Sequence, residues 1–229
     1  MSRQLYDLTA ADGTRFSPYC WRVKLALAHK NLKYETIPWH FTDKAAIAAS
    51  GQEKVPVLID GAHVVADSQI IADYLERTYP NEETLFGDPP ARALTMFVKN
   101  WAETILHPAI ARIVAPDVYQ RLAPQDQPYF RQTREAMFKC RLEDIKKDQQ
   151  SAKEKFIATV KPLQRLLSGQ RFIAGESPNW ADHIVFGAMR WGTLMSAMPL
   201  LQENDVILKW METVLSTYGL ESGFPEGHQ

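Results

Sequence analysis

The stretch Lys54-Val55-Pro56-Val57-Leu58-Ile59-Asp60-Gly61-Ala62-His63-Val64-Val65-Ala66-Asp67-Ser68 decides the fold of this chain. Residues 55–59 are an apolar, β-branched run that reads as a strand. Asp60-Gly61 is a two-residue hairpin signal, and residues 63–65 form the returning strand. Ser68 then opens a helix over 68–78, where Ile70, Ile71, Tyr74 and Leu75 recur at helical spacing, and Tyr79-Pro80 stops it. Strand, tight hairpin, strand and helix together mark the end of a small mixed α/β unit.

Upstream, the pattern continues. Residues 4–8 read as a strand, and residues 9–16 as a polar loop. From Pro18 onward Trp21, Leu25 and Ala28 recur near helical period, with Val23 and Leu27 broadening the apolar face. Pro18 suits a first helical turn, which needs no backbone N–H, so Ser17 falls at the N-cap. Residues 33–37 alternate as a second strand, and the Ala-rich residues 44–50 read as a short helix ended by Gly51. The order is β-α-β-α-β-β-α. Its βαβ unit predicts a parallel pair, and its hairpin an antiparallel one.

Downstream, residues 81–90 hold a Gly and two consecutive prolines and read as a linker. Strand signals then vanish. Helices are expected over 91–118, 125–150, 151–167, 181–198 and 205–218. The fold class is therefore α/β followed by all-α, in two domains over 1–80 and 91–229. The mixed charge over 131–155 reads as a solvated helical face or a helix–helix turn.

Composition narrows the function. The 229 residues are 45% apolar and 23% charged, with a formal net charge of −1. That balance gives no electrostatic footprint for nucleic acid or an anionic membrane. No apolar run approaches the roughly 20 residues of a membrane span. The N-terminus has no apolar signal region. Cys20 and Cys140 are too few and too far apart for a disulfide framework or a zinc site, so no metal is expected. Two reduced thiols fit a cytoplasmic protein.

Three motifs carry chemistry. In Ser17-Pro18-Tyr19-Cys20 a hydroxyl stands at a helix N-terminus, a position whose orphan N–H groups and dipole favour a thiolate. Serine there is no redox nucleophile, yet it can donate to the thiolate of a bound ligand. Read alone, it is equally a plain N-cap. Lys54-Val55-Pro56 places a proline at a strand start and a candidate cis bond, leaving the Val55 backbone open to an extended peptide, or else is only an edge-strand proline. In Asp67-Ser68, Ser68 is a candidate N-cap. The pair also suits a ligand bearing a carboxylate and an ammonium, the first for Ser68 and the helix N–H groups, the second for Asp67.

Together these handles fit a small zwitterionic peptide carrying a thiol, and on them the chain resembles the glutathione transferase family over nearly its whole length. The resemblance implies a thioredoxin-like N-terminal domain, an all-helical C-terminal domain with the acceptor pocket, and glutathione as co-substrate. It implies Ser17 as the catalytic residue of the serine-type classes. It implies Val55 and the cis-proline Pro56 at the cysteinyl unit, and Asp67 and Ser68 at the γ-glutamyl group. His40 and Lys54 resemble positions that bind the glycine carboxylate in some classes. Asn179-Trp180-Ala181-Asp182 resembles the capping box of the family's second domain, a folding motif. The segments 16–23 and 54–58 look most like the β-etherase-related and fungal etherase-like branch, whose members cleave aryl ethers or bind aromatic compounds. A homodimer is implied by the resemblance alone.

The acceptor is then expected to be small, hydrophobic or aromatic. Trp21, Trp39, Phe41 and Trp101 are candidate walls as well as candidate core; Met195, Met198 and His107 read as packing, and Cys20 as a buried thiol. Two other readings stay open: a ligandin-like carrier of aromatic compounds, and a thiol–disulfide oxidoreductase using Cys20.

Overall fold

The computed structural model describes residues 3–220; the outermost residues of both expected domains, 1–2 and 221–229, lie outside them. The chain begins with β1 (Arg3–Leu8), α1 (Pro18–His29) and β2 (Glu35–Trp39), followed by a 3-10 helix (Ala45–Ser50), β3 (Val57–Asp60), β4 (His63–Ala66) and α2 (Ser68–Thr78). The sheet order is β2-β1-β3-β4, with β1 parallel to β2 and antiparallel to β3, and β4 antiparallel to β3. The expected order is present, with local corrections. β2 starts two residues later than its alternation indicates and takes in Pro38, which an edge strand tolerates. The hairpin loop is Gly61-Ala62 rather than Asp60-Gly61, because Asp60 still pairs with His63. Gly61 supplies the positive φ, 61°, that this turn requires. The Ala-rich segment winds as a 3-10 helix, with no side-chain cap at Lys44.

Among the described residues the elements that follow are helices: α3 (Pro89–Trp101), α4 (His107–Arg121), α5 (Gln127–Phe138), α6 (Leu142–Lys147), α7 (Gln149–Leu167), α8 (Trp180–Met195) and α9 (Val206–Thr217). The expected helix over 91–118 is a continuous helical run, but Ala102–Leu106 widens into a π-helical turn just before Pro108. Pro108 has no N–H to close the ladder, and a π turn absorbs that gap. The expected helix over 125–150 is broken instead. Lys139 takes a left-handed φ of 56°, and the chain turns from α5 into α6 there. Arg131 spans that turn, pairing with Glu135 at 2.8 Å and Glu143 at 2.9 Å.

α8 lies at the centre of the molecule. Its start is the expected capping box. Asn179 Oδ1 accepts from Ala181 N at 2.8 Å, and Asp182 Oδ2 accepts from Asn179 N at 3.1 Å. Asp182 also accepts from the backbone of Ile173 and Ala174 and from Trp210 Nε1, so one buried carboxylate ties the preceding loop to α8 and α9. Mid-helix, Gly187 faces Pro18 O so closely that a Cβ would stand 2.2 Å from it. That missing side chain lets α8 seat against the first turn of α1. Leu25, Trp39 and Val57 of the sheet region share one core with Ile110, Val114, Phe156, Phe186 and Met211 of the helices.

Candidate functional site

α1 and α8 position the chemistry. Ser17 caps α1: its Oγ accepts from Cys20 N at 3.2 Å. The cap uses a lone pair and leaves the O–H free to donate. Ser17 is 4% exposed and lines a cleft of about 600 Å³. One wall of the cleft comes from the sheet region: Leu8, Phe16, Ser17, Trp39, Lys54 and Val55. The facing wall comes from α4, α5 and α8, with His107, Ala111, Arg112, Phe130, Arg134 and Trp191 among its side chains.

The expected residues are distributed unevenly about this cleft. Lys54 and Val55 line it, and the Val55–Pro56 bond is cis. Asp67 and Ser68 stand at the neighbouring start of α2. There Asp67, not Ser68, is the N-cap, accepting from Gln69 N at 2.8 Å and Ile70 N at 3.1 Å, and Ser68 is the first helical residue. The carboxylate is the better acceptor at a helix N-terminus, and a φ of 75° at Asp67 aims it back at the N–H groups. Asp67 is near enough to α1 that its charge acts on Tyr19 and Arg22. His40 lies outside the cleft lining. Its Nδ1 meets Asp126 Oδ2 at 2.9 Å, and Asp126 also accepts from the Thr42 backbone and hydroxyl, which ties the loop after β2 to the start of α5.

Of the four candidate wall aromatics, Trp39 and Phe41 line the cleft. Trp21 and Trp101 do not. Trp21 is core, with its Nε1 donating to Arg15 O at 2.9 Å and its ring tilted against Phe186. Trp101 packs half-buried against the core. Met195 is core and Met198 packs against it. Tyr129, Phe130, Phe138 and Trp191 complete the aromatic lining and were not expected. Helical periodicity shows that they share inward faces but not whether an inward face meets core or cleft.

His107 is the main revision. It lines the cleft rather than only packing, and its ring stands edge-on to Tyr19 with centroids 5.2 Å apart. The fully buried Arg22, whose sequence position gave no hint of burial, reaches Glu103 Oε1 at 2.8 Å and His107 Nε2 at 3.1 Å, and stacks over Tyr19. A guanidinium can only donate, so His107 Nε2 is the acceptor and the ring proton sits on Nδ1. Burial and the Arg22 charge pull His107 down to about 3, so the ring is neutral.

Cys20 is fully buried, with Sγ 3.8 Å from Tyr6 O. Burial, and then the Asp7 charge, push its thiol well above the ordinary range. A thiol so held is inert as a nucleophile. Among the described residues no group of three or more His, Cys, Asp or Glu is placed to hold a metal, and no helix is long and apolar enough to cross a membrane.

Comparison with known proteins agrees with this geometry. Residues 13–83 match the model of the glutathione S-transferase N-terminal domain, and residues 93–218 that of the C-terminal domain. A probable glutathione S-transferase of Nicotiana tabacum is 29% identical over 173 residues, which cover 74% of this chain and 65% of that protein; the chain thus spans somewhat less than two thirds of this relative's length. Glutathione transferase GST 23 of Zea mays is 26% identical over 82% of this chain and 71% of its own. Among solved structures, glutathione transferase GSTFuA3 from Phanerochaete chrysosporium superposes with a TM-score of 0.84 at 25% identity, covering 95% of this chain and 97% of its own. The glutathione S-transferase CsGST63524 of Ceriporiopsis subvermispora, solved in complex with glutathione, shares the fold with a TM-score of 0.80 at 23% identity over 98% and 99% of the two chains. With a mixed sheet joined to a helical region, a capped helix start beside a cis-proline, and both halves matched, this chain belongs to the glutathione S-transferase family.

Proposed function

We infer that the chain is a serine-type glutathione transferase that activates the glutathione thiol at Ser17 for attack on an aromatic electrophile. The observation that carries this reading is the state of Ser17. Its oxygen accepts from the Cys20 N–H to cap α1, which leaves the O–H able to donate, and the residue lines the cleft. An ordinary thiol titrates near pKa 8.5, so only a few per cent is ionised at neutral pH. Lowering that value by about 1.5 units needs about 2 kcal/mol of preference for the thiolate. One charge-assisted hydrogen bond and a helix N-terminus supply that much. The thiol proton passes to solvent. The sulfur then forms a C–S bond while the acceptor loses its leaving group, a halide or, for an aryl ether of the kind that the β-etherase-like resemblance adds, a phenolate.

The rest of the site follows the same reading. The Val55 backbone serves the cysteinyl unit beside Pro56, Asp67 and Ser68 the γ-glutamyl end, and Lys54 the glycine carboxylate. The His40 ring, which resembles a second position at that carboxylate, is engaged with Asp126 instead. Residues 1–80 form the glutathione-binding domain and 91–229 the acceptor domain. Leu94 and Phe97 on α3 are each 69% exposed, an unusual display of large apolar side chains that supports a homodimer, which light scattering tests.

The decisive experiment is Ser17→Ala with 1-chloro-2,4-dinitrobenzene and glutathione. The turnover number is expected to fall between about tenfold and a hundredfold, the worth of one hydrogen bond to a charged group, with a smaller change in glutathione affinity. Unaltered turnover would remove Ser17 from the mechanism. Aromatic ligands held tightly with no turnover in the unaltered protein would favour the carrier reading.

A further inference from the structure

We propose that the acceptor site is built for aromatic compounds carrying a carboxylate, held by Arg112 and Arg134. The proposal rests on the transferase reading only for where the sulfur stands.

The cleft carries an excess of positive charge. Lys44, Lys54, Arg112 and Arg134 all line it, against Glu103 as the one acidic lining residue. Glu103 is already engaged, by Arg22 at 2.8 Å and Lys99 at 2.8 Å. Lys54 is assigned to glutathione, and Lys44 Nζ donates to Glu53 O at 2.5 Å and lies over Trp39 and Tyr129. The two arginines remain. Among the described residues neither makes an ion pair within 4 Å; Arg22, Arg92, Arg121 and Arg131 do, and Arg77, Arg165 and Arg171, which also lack one, do not line the cleft.

Arg134 is half-buried on α5, its guanidinium over the Phe130 ring at 4.7 Å and 5.8 Å from that of Phe41, with Nη1 donating to Thr133 Oγ1. Burial pulls its pKa down, the sign of a cation short of solvent and without a compensating anion. Arg112 is more open, with its guanidinium 5.5 Å from the Phe138 ring, at the wall that the cleft shares with a smaller cavity lined by Asp144 and Asp148. Asp144 pairs with Lys147.

The spacing suits one substituted ring. His107 and Arg112 are five residues apart on α4, about 7.5 Å along the axis at 1.5 Å per residue. His107 stands against Tyr19, two residues from Ser17, and Arg112 lies further along the same helix over Phe138, so the α4 lining runs from beside Ser17 toward the Phe138 end of the cleft. Phe41, Phe130 and Phe138 supply faces for the ring, and a guanidinium stacked on such a face still presents its edge to a carboxylate.

The test compares 4-chloro-3-nitrobenzoate with 4-chloro-3-nitrobenzamide, which match in shape and differ in charge. Attack forms the C–S bond, breaks the C–Cl bond and releases chloride, with the thiol proton passing to water. Two readouts are taken: kcat/KM with glutathione, and Kd without it from quenching of tryptophan fluorescence, since Trp39 and Trp191 lie in the walls. The unaltered protein is expected to bind the carboxylate about tenfold tighter, the worth of one charge-assisted hydrogen bond, and to convert it about tenfold better once each kcat/KM is divided by that compound's uncatalysed rate with glutathione, since the amide is the more activated ring. In the double variant Arg112→Gln/Arg134→Gln that ratio falls toward one, and Arg134→Lys alone keeps a preference for the anion. Equal affinity for the two compounds in the unaltered protein, binding of neither, or a preference that survives in the double variant overturns the proposal. A binding preference without turnover leaves the carboxylate site standing and removes the transferase reading. Turnover without a preference does the reverse.

Discussion

The two walls of the cleft are made in different ways. The sheet side presents local features: a capped helix start at Ser17 and an extended backbone before the cis-proline in the wall itself, and a second capped helix start at Asp67 beside it. Each is formed by a few consecutive residues. The helical wall is assembled from α4, α5 and α8, and its members, such as His107, Arg134 and Trp191, are far apart in sequence. Both walls carry aromatic rings; the sheet side adds a capped helix start and an extended backbone, the helical side adds guanidinium groups. A backbone-built wall suits one invariant ligand, because main-chain groups hold their geometry whatever the neighbouring side chains. A wall of long side chains is the one that substitution retunes.

The largest expected effect comes from disturbing the contact that holds the walls together. Gly187 of α8 supports the first turn of α1. Gly187→Ala places a Cβ against the Pro18 carbonyl, which is backbone and cannot swing aside, so a loss of about 3 kcal/mol is expected in urea unfolding. Turnover should fall with it as Ser17 is displaced. A change within about 0.5 kcal/mol, the range of surface substitutions, would mean that the α1–α8 seat is looser than it looks.

A smaller effect sharpens the contrast on the sheet side alone. Asp67→Asn keeps a capping oxygen for Gln69 N and Ile70 N but removes the charge. Glutathione Kd is expected to rise about tenfold, matching one lost charge-assisted contact, with little change in melting temperature. If melting falls and affinity holds, Asp67 serves α2 and not the ligand.

The smallest effect reads the helical side through pH. His107 is drawn down to about 3, and burial also lowers His29 and His183. In the unfolded chain each titrates near 6.5. Below that pH the unfolded state binds protons that the folded state refuses, so stability falls as pH drops from about 6.5 toward 3. Between pH 6.5 and 5 most carboxylates stay ionised, and the slope is at most about 1.4 kcal/mol per pH unit for each histidine. The carboxyl of Asp182, raised by burial, acts in the opposite sense. His107→Asn should reduce the slope by about one proton's worth in melting curves taken across that window. An unchanged slope would show that the His107 ring takes up a proton in the fold as readily as in the unfolded chain.

What the sequence determined by itself was the content of short stretches. Ser17-Pro18 specifies a capped helix start, the run from Val57 to Ala66 a hairpin, Asp67-Ser68 another helix start, and Asn179 to Asp182 a capping box, since caps and turns are satisfied by neighbours a few residues away. The order β-α-β-α-β-β-α and the helical second half follow from those signals and from hydrophobic period. The three-dimensional arrangement alone decided which inward faces back onto the cleft. Trp21 and Trp39 looked alike as candidates and both are buried, yet α8 covers Trp21 with Phe186, while Trp39 backs the cleft lining. It decided that Arg22 is buried, because Glu103 and His107 arrive from another helix to receive its protons. It also decided that the helix expected over 125–150 breaks at Lys139, a residue with no turn signature of its own. The burial of Arg22 depends on partners 81 and 85 positions away, Glu103 and His107, and no local pattern encodes a contact of that kind.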